Sequence, residues 1–281
     1  DSRLTPRPFP SLMLLFVTAC YAVCIWALTK PFRHRNWFAI GGVILVGASA
    51  LPAMPLTSPD TMHFAADVRT LWLHGRYPTQ FDNAPEDVDD PIAKEVRVFA
   101  NGPSGYGPVT YVVGGLALPF VGDNLRANIF GIKMVSFLGL IVTAVMCGLI
   151  ARSLGRNPAV IIAAIGMNPT FVWHFPGDGH NDTIMSAFGM AGVLFLIRSE
   201  WSRRGIGAGL SALSVFSKFS VALVAPVVLT AWFPRFRLFI GGGVALVGVT
   251  LVALYFGMNG EVAGTSGPFE GVTRNTPWYF L

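Results

Sequence analysis

Apolar residues run through this chain in long blocks parted by short polar breaks, and the blocks set the first expectation. Uninterrupted apolar runs predict membrane-crossing helices at about 12–29, 37–55, 129–151, 158–174, 182–198 and 238–257. A helix rising 1.5 Å per residue needs roughly 20 apolar residues to cross ~30 Å of hydrocarbon. Two further blocks do not fit that length. Residues 205–233 are long and carry Lys218 in their middle, the one lysine read as deep in an apolar run, so two short helices turning there are expected. Residues 108–122, PVTYVVGGLALPFVG, are short and glycine-rich and read as a re-entrant or interfacial piece. The expected fold class is all-α, a polytopic transmembrane helical bundle. It forms a single transmembrane domain over 1–281, with a first large extracytoplasmic loop at 57–128 carrying an interfacial helix.

Composition sharpens this picture. Only 12% of residues are charged against 53% hydrophobic, about half the ~25% charge of a soluble domain. A net charge of +5 would suggest anionic partners for a soluble protein. Here it has to be read loop by loop, and no nucleic-acid partner is expected. The three cysteines, Cys20, Cys24 and Cys147, all lie within apolar segments, so no loop disulfide is expected. The segment 11–29 is too long for a signal peptide and lacks a small-residue cleavage site. The chain starts at Asp1 without a methionine and stops in a loop-like stretch, so it is expected to be a fragment of a longer protein.

Charge then orients the spans. KPFRHR (30–35), RSLGR (152–156), RSEWSRR (198–204) and PRFR (234–237) hold ten of the twenty basic residues and one acid, Glu200. Eight acids lie within 57–105 alone. Basic loops face the cytoplasm. That rule puts 57–128, 175–181, the Lys218 turn and 258–281 outside, together with the N-terminal ten residues. Every conspicuous polar motif falls on one face of the membrane.

The first of these motifs is SPDTMHFAADVR, residues 58–69. Asp60, His63, Asp67 and His74 follow helical spacing and would share a face of a helix lying along the membrane surface. Arg69 would sit to one side, and Gly75 would end the helix. Ser58 or Asp60 could equally be a simple N-cap. The acidic run EDVDDP (86–91) reads as a solvated loop, a calcium site being less in keeping with its spacing. GPSGYGPV (102–109) packs glycine and proline around Tyr106, the chemistry of a fixed turn that could wall a binding site.

The second motif, NPTFVWHFPGDGHNDTIM (168–185), concentrates Asn168, His174, Asp178, His180, Asn181 and Asp182 between two spans. Asn181 or Asp182 would cap the following helix, but capping needs one residue and not four. Four of the five histidines fall in the two outer loops. With Asp60, Asp67, Asp178 and Asp182 they could bind a divalent ion, although no HxxxH or HxH pair supplies clustered ligands. Lys218 could snorkel at a helix end or meet an anionic headgroup.

In order along the chain stand Ser58, Asp60, Phe64, Asp67 and Arg69, then Gly75 and Pro78, YGP (106–108), NP (168–169), GHND (179–182), Lys218 and Pro226. This ordered set, over about 38–233, resembles the glycosyltransferases of the GT-C superfamily that use polyprenol-phosphate sugars. The likeness is strongest to the bacterial mannosyltransferase branch that takes polyprenol-phosphate-mannose. GRYPT lacks the asparagine those enzymes usually carry after the loop glycine, and the span 12–29 is not universal among them.

The resemblance implies a bacterial plasma-membrane enzyme with its site outside the cytoplasm. It would move a sugar, mannose for that branch, from a polyprenol-phosphate donor to a glycan or glycolipid acceptor hydroxyl, among membrane lipids. By position Asp60 is the catalytic aspartate and general base. Arg69, Lys218 and His180 are the expected donor-phosphate ligands, and Asp67, His63, Tyr106, Asn181 and Asp182 the expected substrate contacts. A monophosphate leaving group so held does not require a metal or other cofactor, and no metal ligands are assigned. The alternative is a lipid or solute transporter, whose polar residues would lie at mid-bilayer within repeated halves. The polar groups instead gather on one face, and no internal repeat is apparent.

Overall fold

The computed structural model describes residues 9–55, 60–76, 89–92, 106–198 and 200–218, with backbone alone for 9–14 and 201. All belong to one compact unit, Asp1–Phe219; a second unit, Ser220–Leu281, lies outside the described residues. Outside them too lie the expected span 238–257, the tail 258–281, Pro226, Ser58, Pro78 and the first half, 86–88, of the acidic run 86–91.

Every regular element among the described residues is helical. In chain order they are α1 Phe9–Thr29, α2 Arg35–Ala50, α3 Asp60–His74, α4 Pro108–Gly114, α5 Leu125–Ser153, α6 Pro158–Gly166, α7 Pro169–Val172, α8 Asp182–Leu196 and α9 Trp201–Ser217. A 3₁₀ turn, Gly115–Phe120, follows α4, and a π turn, Trp173–Gly177, follows α7.

Local chemistry sets these boundaries. Asn124, Asn157 and Asn168 each precede a helix and accept a backbone N–H, from Ala127, Ala159 and Thr170 at 3.0–3.1 Å. Proline at the first helical position follows two of them, where its missing N–H costs nothing. α3 ends where Gly75 takes φ +66°, a left-handed stop that glycine adopts freely.

Among the described residues α5 is the one helix long and apolar enough to cross a membrane by itself, with mean hydropathy 2.4. The expected span 158–174 is instead broken. Pro158–Gly166 and Pro169–Gly177 bend by 48° about Met167 and Asn168, because Pro169 cannot donate the N–H that would continue α6. α8 at 15 residues and α2 at 16 are shorter than the expected spans.

Hydrogen bonds fix which ends lie together. Asn157 Nδ2 donates to Leu28 O at 3.0 Å and Tyr21 OH to Ala164 O at 2.9 Å. This puts the loops 30–35 and 152–156 at one end, as the charge pattern requires. Away from that end, midway along α5, Ser136 donates to His180 O at 2.6 Å, and a Cβ on Gly139 would meet Thr183 at 2.7 Å. α8 therefore starts beside Gly139 and runs alongside α5 in the same direction. Thirteen residues, ~20 Å, bring both chains to their basic ends, at Leu196 and Arg152. α9 returns antiparallel, with a Cβ on Gly192 meeting Ser211 and Ser214 Oγ donating to Met185 O at 2.7 Å. Small residues at this crossing let the two backbones approach closely.

The loop helix α3 departs from expectation. Thr61 and Phe64–Thr70 are all buried, so α3 is not a solvated helix on a membrane surface. It packs Phe64, Ala65 and Val68 against Tyr111 and Ile132, leaving Trp72 and Leu73 exposed at its end.

Candidate active site

α3 begins, α8 begins and α9 ends close to one another, and each delivers polar side chains there. Lys218 is the first residue after α9, in extended backbone. Its Nζ lies 2.5 Å from Asp182 Oδ1 in the first turn of α8 and 5.5 Å from the centre of the Tyr106 ring. α9 ends where the turn is expected; the second of the two short helices expected within 205–233 lies outside the described residues.

The YGP motif builds this corner. α9 ends with unsatisfied carbonyls, and Ser217 O accepts from Gly107 N at 2.9 Å and Thr110 Oγ1 at 2.8 Å. A Cβ on Gly107 would stand 1.9 Å from Phe216 O, so only glycine admits this approach. Tyr106 is thereby pressed between α9 and α3, edge-on to Phe64 with ring centres 5.8 Å apart. Its hydroxyl pKa is raised, first by burial and then by the charges of Asp60, Asp182 and Asp67, against a hydrogen bond from Asn181. Tyr106 therefore stays a neutral phenol and links both outer motifs.

The GHND turn is anchored from two sides. Thr61 Oγ1 donates to Asp178 O, and Ser136 holds His180 O. Gly179 takes φ +76° and packs on Thr61 and Lys133, where a Cβ would meet Thr61 Cγ2 at 2.7 Å. His180 Nδ1 then lies 3.9 Å from Asp60 Oδ2. Asn181 occupies the N-cap position of α8 but makes no capping bond, contrary to the simple capping expectation. Its Oδ1 is buried without a hydrogen-bond partner among the described residues.

The carboxylates differ in environment. Asp60 is 45% exposed, Asp182 is engaged by Lys218, and Asp67 is 2% exposed, with Oδ2 3.7 Å from His63 Nε2. Burial lowers the His63 pKa, and the charge of Asp60 acts in the opposite sense.

Asp60, His63, Asp67, Tyr106, His180, Asn181, Asp182 and Lys218 are thus gathered by contact or electrostatic interaction, and one expected member is not. Arg69 was expected at the donor phosphate; its guanidinium is 3% exposed and turned elsewhere. It donates through Nε to Asp90 Oδ2 at 2.9 Å, Nη1 to Gly122 O at 2.8 Å and Nη2 to Asp123 at 2.6 Å. Burial alone would lower its pKa, but the hydrogen bonds and charges of Asp90 and Asp123 outweigh this and raise it. His74 joins the same Asp90, at 3.3 Å, so it too is engaged away from the cluster. Asp90, read as part of a solvated loop, is a buried counter-ion. Two positions along a helix is a rotation of ~200°, which separates Arg69 from Asp67.

Lys133 was missed. It is fully buried in α5, donating to Ala50 O at 3.0 Å and to Ala53 O, beyond the last turn of α2. Lys218 is therefore not the one lysine within an apolar run. FGIKMVSF carried the signal, a charge inside a span, which needs a partner.

These features define a protein, helical in every regular element among its described residues, whose carboxylates, a neutral phenol and a lysine meet where α3 and α8 begin and α9 ends. The chain matches, over residues 7–234, the family described as alpha-(1->6)-mannopyranosyltransferase, N-terminal domain, and belongs to that family. It is 29% identical over 176 residues to alpha-(1->6)-mannopyranosyltransferase A of Corynebacterium glutamicum, covering 63% of this chain and 35% of that protein. It is 23% identical over 201 residues to alpha-(1->6)-mannopyranosyltransferase B of the same organism, covering 65% and 33%. The chain spans about a third of the length of these relatives. No solved structure matches.

Proposed function

We propose that this chain is the donor-handling part of a multi-pass, GT-C-type mannosyltransferase of the bacterial plasma membrane. Mannose passes from a polyprenol-phosphate donor to the 6-hydroxyl of a mannose-bearing glycan or glycolipid, on the face opposite the basic loops. The linkage follows the names of the relatives, which are alpha-(1->6)-mannopyranosyltransferases.

The observation that carries the reading is the meeting of Asp60, His180, Asp182, Tyr106 and Lys218 where three helices start or end, away from the loops 30–35 and 152–156. The acceptor oxygen attacks the anomeric carbon while the bond from that carbon to the phosphate oxygen breaks. The electron pair leaves on phosphate, and the hydroxyl proton goes to a carboxylate. Asp60 suits that task because it is accessible, whereas Asp67 is buried and Asp182 is paired. A positioned base contributes ~10²–10⁴ in rate. Lys218 meets the charge that gathers on the phosphate, and His180, beside Asp60, can donate a hydrogen bond to it. The buried Asn181 Oδ1 is an acceptor for a sugar hydroxyl, since leaving it dry costs about 1–3 kcal/mol. His63 and Asp67 back this wall of the site. The residues named need no metal for the displacement.

The test is transfer from polyprenol-phosphate-mannose in membranes containing the whole protein. Asp60→Asn should lower it ~10²–10⁴-fold with unchanged abundance; near-normal transfer would sink the role given to Asp60.

A further inference from the structure

A second set of reactive side chains stands next to this cluster. The π turn Trp173–Gly177 widens the chain path after α7, and His180 N donates to His174 O at 3.2 Å. That closure brings two histidines six positions apart into contact, ring centres 5.7 Å apart at 68°. One ring nitrogen of each and a carboxylate oxygen of Asp178 lie within 4.8 Å of one another. We propose that His174, Asp178 and His180 form a binding site for a divalent transition-metal ion of the zinc class.

The donor set is the first argument. Two imidazoles and one carboxylate are ligands that zinc-class ions take, with a fourth position open. Bonds of ~2.0–2.1 Å put tetrahedral ligand atoms roughly 3.4 Å apart, so binding draws the three inward by about 1 Å.

The second argument is support. The backbone that carries the ligands is held by Thr61 at Asp178 O and by Ser136 at His180 O, so side-chain rotation can close the site without moving the turn. The charge of Lys133 acts on Asp178, while the lysine itself is fixed by Ala50 O and Ala53 O. Asp178 brings one carboxylate to the site and Asp60 a second beside His180, against the one ammonium of Lys133. An anionic oxygen in the fourth position would then balance the ion, and a phosphate oxygen has that chemistry.

The third argument is position. His180 Nδ1 also faces Asp60, so an ion on the triad would set the orientation of the ring beside the proposed base. This last consequence rests on the proposed function; the binding itself does not.

Zinc chloride titration against a competing chelator tests it, on the whole protein purified in detergent, with cobalt(II) absorption reporting ligation. One ion per chain is expected. His174→Gln and Asp178→Asn should each weaken binding at least about 100-fold, the upper range for an outer-shell change and so a floor for a ligand. Zinc should raise the unfolding temperature of the wild type and of Asp60→Asn, but not of His174→Gln. The Asp60→Asn result separates a failed metal site from a failed transferase reading. No ion on the wild type, or wild-type affinity retained in both ligand variants, overturns the proposal.

Discussion

Lys218 Nζ stands 2.5 Å from Asp182 Oδ1, and this pair joins the end of α9 to the start of α8. Both side chains are about one-third exposed, so the pair contributes little to stability once solvent screening is counted. Its geometry matters more, because it holds an ammonium at the mouth of the site where a phosphate can compete for it. Lys218→Gln should lower mannosyl transfer about 10²–10³-fold, the range for losing one preorganised charge stabiliser. The unfolding temperature should stay nearly constant. Lys218→Arg should keep part of the activity. Equal activity in Lys218→Gln would remove Lys218 from the site.

Arg69 makes the opposite prediction. It and Asp90 are each about 97% buried or more, and Asp123 and Gly122 O complete its partners. Arg69→Met takes the guanidinium away from the buried Asp90 and should cost about 3–5 kcal/mol. Asp90→Leu added to Arg69→Met should recover much of that loss, since the buried charge is gone. Thermal unfolding in detergent reads the stability. Transfer normalised to folded protein should change by less than about threefold. A large loss in normalised activity would return Arg69 to the donor phosphate.

The contrast shows what was legible in the chain. α3 and its stop at Gly75 followed from helical spacing and one glycine, both local signals. The end-to-end arrangement of the basic loops followed from charge, because the membrane rule acts on each loop separately. The nearness of Lys218 to the GHND turn also followed, since an antiparallel helix pair of similar length must bring its ends together. Partners far apart in sequence were not legible. Asp90 and Asp123 reach Arg69 across 21 and 54 positions, and no period connects them. Lys133 was hidden by its apolar neighbours, and its partners are backbone carbonyls, which every residue has. The break at Met167–Asn168 was written in the NP dipeptide, but apolar length outweighed it.

His63 gives a pH dependence with a definite sign. Burial lowers its pKa in the folded protein, with Asp60 acting against burial and Asp67 3.7 Å away. The unfolded chain, at the ordinary value of about 6.5, therefore binds more protons as the pH falls. The stability His63 contributes is fully present above about pH 6.5 and is lost as the pH falls through its lowered folded value. His63→Gln should flatten the fall in unfolding temperature measured from about pH 8 to pH 5. An identical slope in the variant would show that His63 is not its source.

Gly107 offers the sharpest steric prediction. Its φ of −86° is open to any residue, so backbone strain plays no part. What forbids a side chain is Phe216 O, 1.9 Å from where a Cβ would stand, and this carbonyl belongs to the last turn of α9. Gly107→Ala must push α4 and α9 apart, breaking the bonds from Gly107 N and Thr110 Oγ1 to Ser217 O. Overpacking of this kind costs about 1–3 kcal/mol, with roughly 1 kcal/mol more for each hydrogen bond lost. It should also separate Tyr106 from Lys218, so normalised transfer should fall along with the unfolding temperature. Gly41 in α2 is the control, with nothing within 4 Å of an added Cβ. Gly41→Ala should leave transfer intact and raise stability by up to about 1 kcal/mol through helix propensity. Matching unfolding temperatures for the two alanine variants would show that the α4–α9 contact is looser than this packing requires.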